Sequence, residues 1–159
     1  MKKIMLVGRT GAGKTTLTQY MQGKTVTYHK TQYINHHDVI IDTPGEYAET
    51  KVLARALALY SYEADVIGLL ISATEDYSLY PPNITPCVNR EVIGIITQID
   101  HPDANPDLAE EWLRLAGCET IYRVSAYTGE GVSQIYEHLK EPGDVLPWEE
   151  KKNYQKEAL

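Results

Sequence analysis

Gly8-Arg9-Thr10-Gly11-Ala12-Gly13-Lys14-Thr15 is the stretch that decides the fold. It fits G-x-x-x-x-G-K-[ST], a loop that wraps the phosphates of a nucleotide. Its flanks agree with that reading. Ile4-Met5-Leu6-Val7 is a short apolar run with the pattern of a buried strand. Thr16 to Met21 continues as a helix, with Leu17 and Met21 four apart on one face. Gly11 and Gly13 can adopt backbone angles that a Cβ forbids. Backbone N–H groups of Gly11, Ala12, Gly13, Lys14 and Thr15 can then turn in on phosphate oxygens, at the positive end of the helix. Lys14 reaches the β- and γ-phosphates, and the Thr15 hydroxyl belongs in the Mg²⁺ shell. Gly8, Arg9, Thr10 and Thr16 complete the stretch expected to hold the nucleotide.

Composition narrows the rest. A chain of 159 residues is long enough for one domain with one good core. The main domain is expected over residues 1–143, with 144–159 as a C-terminal tail or short helix. The net charge of −7, without a basic stripe, argues against a nucleic-acid partner. Cys87 and Cys118 are two distant thiols, which fits a reducing cytoplasm. The apolar run after Met1-Lys2-Lys3 is shorter than the roughly 7–15 residues of a secretory leader core. Nothing approaches the ~20 apolar residues of a membrane span. The twelve Tyr and absence of Phe have no functional reading.

Outward from the loop, the chain alternates strand and helix. Val39-Ile40-Ile41-Asp42 reads as a strand ending in an acid. Thr50 to Tyr60 reads as a helix, with Val52, Leu53, Ala56, Leu57 and Tyr60 on its apolar face. Val66 to Ile71 and Val92 to Ile96 are continuous apolar runs, the mark of strands buried on both faces. Asn105-Pro106 opens a helix and Gly117 closes it, with Leu108, Trp112, Leu115 and Ala116 expected on the buried face. Thr120 to Val124 is a last strand and Val132 to Leu139 a last helix. The pattern predicts an α/β fold: a three-layer, doubly wound, mostly parallel sheet. Two segments are short. Between Lys14 and Asp42 there is barely room for a helix, a loop and two strands. Ser72 to Glu91 holds Pro81, Pro82 and Pro86, which argues for a loop with one helical turn instead of a crossover helix.

Asp42-Thr43-Pro44-Gly45 fits D-x-x-G at a strand end. There the Asp belongs to the Mg²⁺ shell, usually through water, and the Gly N–H meets the γ-phosphate. Thr31 is the best-placed threonine to complete the shell, with Thr25 and Thr27 as rivals. Thr97-Gln98-Ile99-Asp100 follows a strand where GTPases carry [NT]-K-x-D. The Asp100 carboxylate can accept from the ring and exocyclic N–H donors of guanine. Adenine lacks that donor pair and would leave the carboxylate unpaired. Gln98 lacks the charge and long stem of the usual lysine. Ser125-Ala126, opening Ser125 to Gly131, falls at the next strand end, where a backbone contact to the guanine carbonyl is expected. Together these imply GTP or GDP with Mg²⁺, ATP being the alternative.

The chain resembles the small GTPase-like proteins of bacterial ethanolamine and propanediol utilisation. The resemblance rests on Lys3 to Gly8, Gly11 to Thr16, Lys30-Thr31-Gln32, Asp42 to Tyr47, Ala64 to Ile67, Val92 to Thr97 and Val124 to Gly131. It implies a P-loop fold, a cytoplasmic place at a metabolic microcompartment, and a shell protein or enzyme as partner. It also brings a second activity into view, because the ethanolamine branch has been linked to acetate kinase chemistry. The same loop, Lys14 and Mg²⁺ would then set ATP up for attack by a small carboxylate. A third reading is a docking module that uses its proline loop and binds nucleotide weakly.

For hydrolysis, a water must attack in line at the γ-phosphorus. Where many GTPases place a water-orienting Gln after D-x-x-G, this chain has Glu46. A carboxylate there would repel the γ-phosphate, so slow turnover is expected. Glu46 pointing away to the following helix is the competing reading. Arg9 is either a cis charge for the phosphates or an exposed loop arginine. His36-His37 point apart if the stretch is a strand. His101 is expected in solvent, Cys118 in the core, Trp112 on a core face, and Trp148 packed on the domain or on a partner.

Overall fold

The computed structural model describes residues 1–9, 11–28, 40–42, 62–146 and 148–149. The elements run β1 (Ile4–Val7), α1 (Lys14–Tyr28), β2 (Ile40–Asp42), β3 (Val66–Ser72), a 3-10 turn (Thr85–Cys87), β4 (Glu91–Thr97), α2 (Pro106–Ala116), β5 (Thr120–Arg123) and α3 (Val132–Leu139). The five strands form one sheet in the order β2-β1-β3-β4-β5, and every neighbouring pair is parallel. The order reverses direction between β1 and β3. In open α/β sheets the crevice beyond the carboxyl ends of the strands at such a reversal is where ligands sit. The glycine loop leaves β1 at that point.

Alternation along each strand sends side chains to two cores. Ile4, Leu6, Val66, Leu70, Ile93 and Ile95 join Leu17 and Met21 of α1 and Val132, Ile135, Tyr136 and Leu139 of α3 on one face. Met5, Val7, Ile67, Leu69, Ile71 and Ile96 join Ala109, Leu113 and Ala116 of α2 on the other. Both faces are covered, which is why the central strands read as unbroken apolar runs.

Asn105, Pro106 and Gly117 act as expected. The Asn105 side chain accepts from the Leu108 N–H at 3.3 Å, and Gly117 closes α2 at φ 110°. The expected buried face of α2 is corrected. The buried residues are Ala109, Leu113 and Ala116, while Leu115 is 64% exposed and Trp112 lies at the core edge. Small alanines let the helix lie close to the sheet. Leu113 fills the space over Gly94, where a Cβ would come within 2.9 Å of its Cδ1. A face chosen by bulk is therefore turned by one residue. Leu113→Ala should cost about 3 kcal/mol, since the side chain is fully buried against the sheet. Equilibrium urea unfolding checks this.

Between β3 and β4 the only regular structure is the 3-10 turn at Thr85–Cys87. Tyr80 and Ile84 fill this part of the core. The Tyr80 hydroxyl lies 2.6 Å from the Leu70 carbonyl and 3.0 Å from that of Val7, so its one proton is shared between strands β1 and β3. Burial pushes its ionisation well above the ordinary phenol range. The Tyr136 hydroxyl likewise donates to the Met21 carbonyl at 2.9 Å. Phe could fill either space but would lose these hydrogen bonds between elements, which accounts for Tyr at these two positions.

Thr25 and Thr27 fall within α1. The predicted helix from Thr50 to Tyr60, Thr31 and His36-His37 lie outside the described residues. Leu146 is fully buried with the α1 and α3 residues. Trp148 meets the Tyr136 ring edge-on at 5.8 Å and donates to Glu137 at 3.3 Å. The start of the C-terminal extension thus packs on the domain. No helix among the described residues is long and apolar enough to cross a membrane.

Candidate functional site

The glycine loop is shaped by its own sequence. The Ala12 N–H donates to the Arg9 carbonyl at 2.9 Å, and the Leu17 N–H to the Gly13 carbonyl at 2.9 Å, so the loop runs straight into α1. Gly11 and Gly13 stand at φ 86° and 81°, angles that disfavour any Cβ. Gly13 also lies close beneath the end of β4: a Cβ there would come within 3.2 Å of Thr97 Oγ1 and 3.4 Å of Gln98 Nε2.

The Thr97–Asp100 segment is tied to that loop. Thr97 is buried, and its hydroxyl donates to the Ala12 carbonyl. Gln98 has a left-handed backbone, φ 58°. Its Oε1 accepts from the Ser72 hydroxyl at 2.7 Å. Asp100 is exposed at the rim. Gly13, Thr16, Thr97, Gln98, Asp100, Ala126 and Tyr127 line one cavity. Five residues named from sequence motifs, Gly13, Thr16, Thr97, Gln98 and Asp100, thus meet Ala126 from a strand end further along the chain.

The last loop is closed on itself. Ser125 is fully buried; its Oγ accepts from the Thr128 N–H at 3.2 Å and its carbonyl from the Gly129 N–H at 2.8 Å. Tyr20 of α1 packs on Gly129, where a Cβ would fall 2.2 Å from the Tyr20 hydroxyl. Helix α1 therefore braces the glycine loop at its start and the Ser125–Gly131 loop nearly two turns later.

Arg9 is a partly exposed loop arginine with a partner of its own. Its guanidinium pairs with Glu75 at 2.9 Å and lies 4.7 Å over the Tyr77 ring. It anchors the loop to the segment after β3, with its charge already matched. Asp42 ends β2, paired in register with Leu6, next to the start of the glycine loop. Thr15 lies exposed in the first turn of α1. A hydroxyl and a carboxylate are hard oxygen donors of the kind Mg²⁺ takes. Thr10, Thr31, Gly45 and Glu46 lie outside the described residues.

The weaker candidates find ordinary roles. His101 Nδ1 accepts from the Asp103 N–H at 3.1 Å in a surface turn. Cys118 is buried, and burial pushes its thiol up to about 11, so it is no nucleophile at neutral pH. Sequence reasoning missed Ser72, Thr74 and Tyr127. Ser72 carried one weak signal, a hydroxyl ending an otherwise apolar strand. Tyr127, 81% exposed on the cavity rim, was passed over because only backbone was expected to act there.

Solved structures share this architecture. The FeoB G-domain from Methanococcus jannaschii superposes with a TM-score of 0.55 at 17% identity, covering 86% of this chain and 94% of that one. Era in complex with MgGDPNP superposes with a TM-score of 0.55 at 23% identity, covering 92% and 59%. The fold is that of a P-loop protein of the small-GTPase type. A family model described as "Ethanolamine utilisation - propanediol utilisation" matches residues 1–141. Propanediol utilization protein PduV from Citrobacter freundii is 42% identical, over 86% of this chain and 91% of that protein. Probable acetate kinase EutP from Escherichia coli is 31% identical, over 87% and 89%. The chain belongs to the ethanolamine utilisation and propanediol utilisation family, as its motifs led one to expect.

Proposed function

We propose that this protein binds guanine nucleotide with Mg²⁺ and hydrolyses GTP slowly, as a cytoplasmic switch or assembly factor for a microcompartment of its family's metabolism. A shell protein or an encapsulated enzyme is the partner this reading assigns. The observation that carries it is the convergence of Gly13, Thr97, Gln98, Asp100 and Ala126 on one cavity beside the glycine loop. Its lining combines the start of a phosphate-binding helix with a carboxylate able to accept from paired N–H donors.

Lys14 and the loop N–H groups hold the β- and γ-phosphates, and Thr16 lies at the cavity beyond them. Asp42, Thr15 and Thr31 are the residues that would hold Mg²⁺, which would supply positive charge to the phosphates. The Gly45 N–H donates to the γ-phosphate. Glu46 cannot donate a hydrogen bond in its charged form, so water orientation is poor and turnover slow. Asp100 reads guanine, and the Ser125-Ala126 backbone meets its carbonyl.

Exchanging acceptor for donor at Asp100 should change the base that fits. Xanthine offers a carbonyl where guanine offers an exocyclic amine. Asp100→Asn is therefore expected to lose GDP affinity by about 100-fold and to gain for XDP. Competition against a fluorescent nucleotide measures both. The same assay tests the reading as a whole with GDP, GTP, ADP and ATP in the presence of Mg²⁺. Guanine nucleotides alone should compete at micromolar levels; equal competition by ATP would overturn it.

The second reading, phosphoryl transfer from ATP to a small carboxylate, draws support from Gln98. A neutral amide replaces the lysine that usually lies along guanine, and the relative from Escherichia coli bears the name probable acetate kinase. Acetyl phosphate formation from ATP and acetate, read directly, would favour it over hydrolysis.

A further inference from the structure

We infer that Ser72 and Thr74 are positioning residues for nucleotide binding: they fix the Gln98 amide so that its N–H donors face an acceptor on the nucleoside. This deepens the reading above and rests on it. Gln98 Oε1 takes the Ser72 hydroxyl proton at 2.7 Å and lies 3.4 Å from the Thr74 hydroxyl. Those two hydroxyls are 2.8 Å apart, and the Thr74 N–H donates to Ser72 Oγ at 3.2 Å. With the Ser72 hydroxyl proton on Gln98 Oε1, the single Thr74 hydroxyl proton goes either to Ser72 Oγ or to the same Gln98 oxygen. Ser72 is 1% exposed, so water does not compete for the bond.

With the oxygen end engaged, the Nε2 end is directed at Gly13, 3.4 Å from where a Cβ would stand, on the cavity that Asp100 and Tyr127 also line. An amide nitrogen only donates, and the facing atoms of a ribose or purine at such a place accept. The left-handed backbone at Gln98, φ 58°, holds the stem in this direction; such angles in a non-glycine residue persist only where the surroundings impose them. The parallel register pairs Ser72 with Thr97, which brings the clamp beside Gln98. A lysine here would need no clamp, because its ammonium carries three donors that rotate freely. A glutamine has one donor end and one acceptor end and must be told which way to point. Ser72 and Thr74 give that instruction.

The test is a double-mutant cycle on the full chain, with Kd measured for a fluorescent GDP probe in the presence of Mg²⁺. Ser72→Ala should weaken binding about tenfold in the Gln98 background and less than about twofold in the Gln98→Lys background. Thr74→Val, which keeps shape and leaves Ser72 in place, should give a smaller loss with the same dependence on residue 98. Equal losses in both backgrounds would mean that these hydroxyls act on the fold alone, and no loss in either would mean that the amide needs no orientation; both overturn the proposal. Failure of the guanine reading looks different. ADP would compete with the probe in the unaltered protein, and the cycle run with an ADP probe would still report on the clamp. A protein that binds neither probe refutes both.

Discussion

Lys14→Ala is expected to weaken GTP binding by about two to three orders of magnitude while leaving the fold intact. The loop N–H groups are neutral dipoles, and Lys14 is the one fixed cation in this stretch whose sequence position aims it at the β- and γ-phosphates. Arg9 cannot replace it, because its guanidinium is held by Glu75 and Tyr77. Charge-assisted bonds to phosphate are about twice as strong as neutral ones, and removing one leaves phosphate charge unmatched. Lys14 opens α1, and alanine is at least as good a helix former. Fluorescent-nucleotide titration and a thermal melt on the same sample separate the two effects. Full retention of binding at an unchanged melting temperature would rule out the phosphate-loop reading, and retention of partner binding alone would point to a docking module.

Gly131→Ala is the second large expectation, a loss of at least about 3 kcal/mol, or roughly 6–12 °C in melting temperature for a domain of this size. Gly131 caps α3 at φ 76°, and a Cβ there would stand 2.0 Å from the Arg123 carbonyl oxygen. That oxygen is backbone, next to buried Val124, and cannot swing aside as a flexible side chain would. Relief requires the Ser125–Gly131 loop to move off β5, carrying Ala126 and Tyr127 away from the cavity they line. Gly143→Ala is the control. Its φ is 92°, yet nothing lies within 4 Å of its Cβ position, so only the left-handed penalty of about 1–2 kcal/mol applies. Similar urea midpoints for the two variants would contradict the packing of that loop.

Much of the fold was legible because its signals are local. Strand β1, the glycine loop and the start of α1 lie within a few residues of one another. The runs at Val66 and Val92 announced strands covered on both sides, and Asn105, Pro106 and Gly117 marked both ends of α2 through their own backbone preferences. The prolines of the segment after β3 excluded a helix for an equally local reason. The buried face of α2 was not legible. It depends on how closely Ala109 and Ala116 let the helix approach Gly94, and Gly94 says nothing about its neighbour until the two elements pack.

The same division runs through the site. The sequence by itself determined which residue types stand at the strand ends, and so the order of phosphate loop, acid, base-reading segment and Ser125-Ala126. Only the tertiary structure decided what those residues touch. Arg9 is neutralised by a carboxylate 66 positions away. Gln98 is aimed by a serine 26 positions earlier, and Tyr80 joins two strands through one hydroxyl. Backbone preference acts over a turn or two of chain and can be read from neighbours. Ion pairs and hydrogen bonds act over about 3 Å of space, and the partners within that distance are chosen by the parallel register that brings Ser72 beside Thr97.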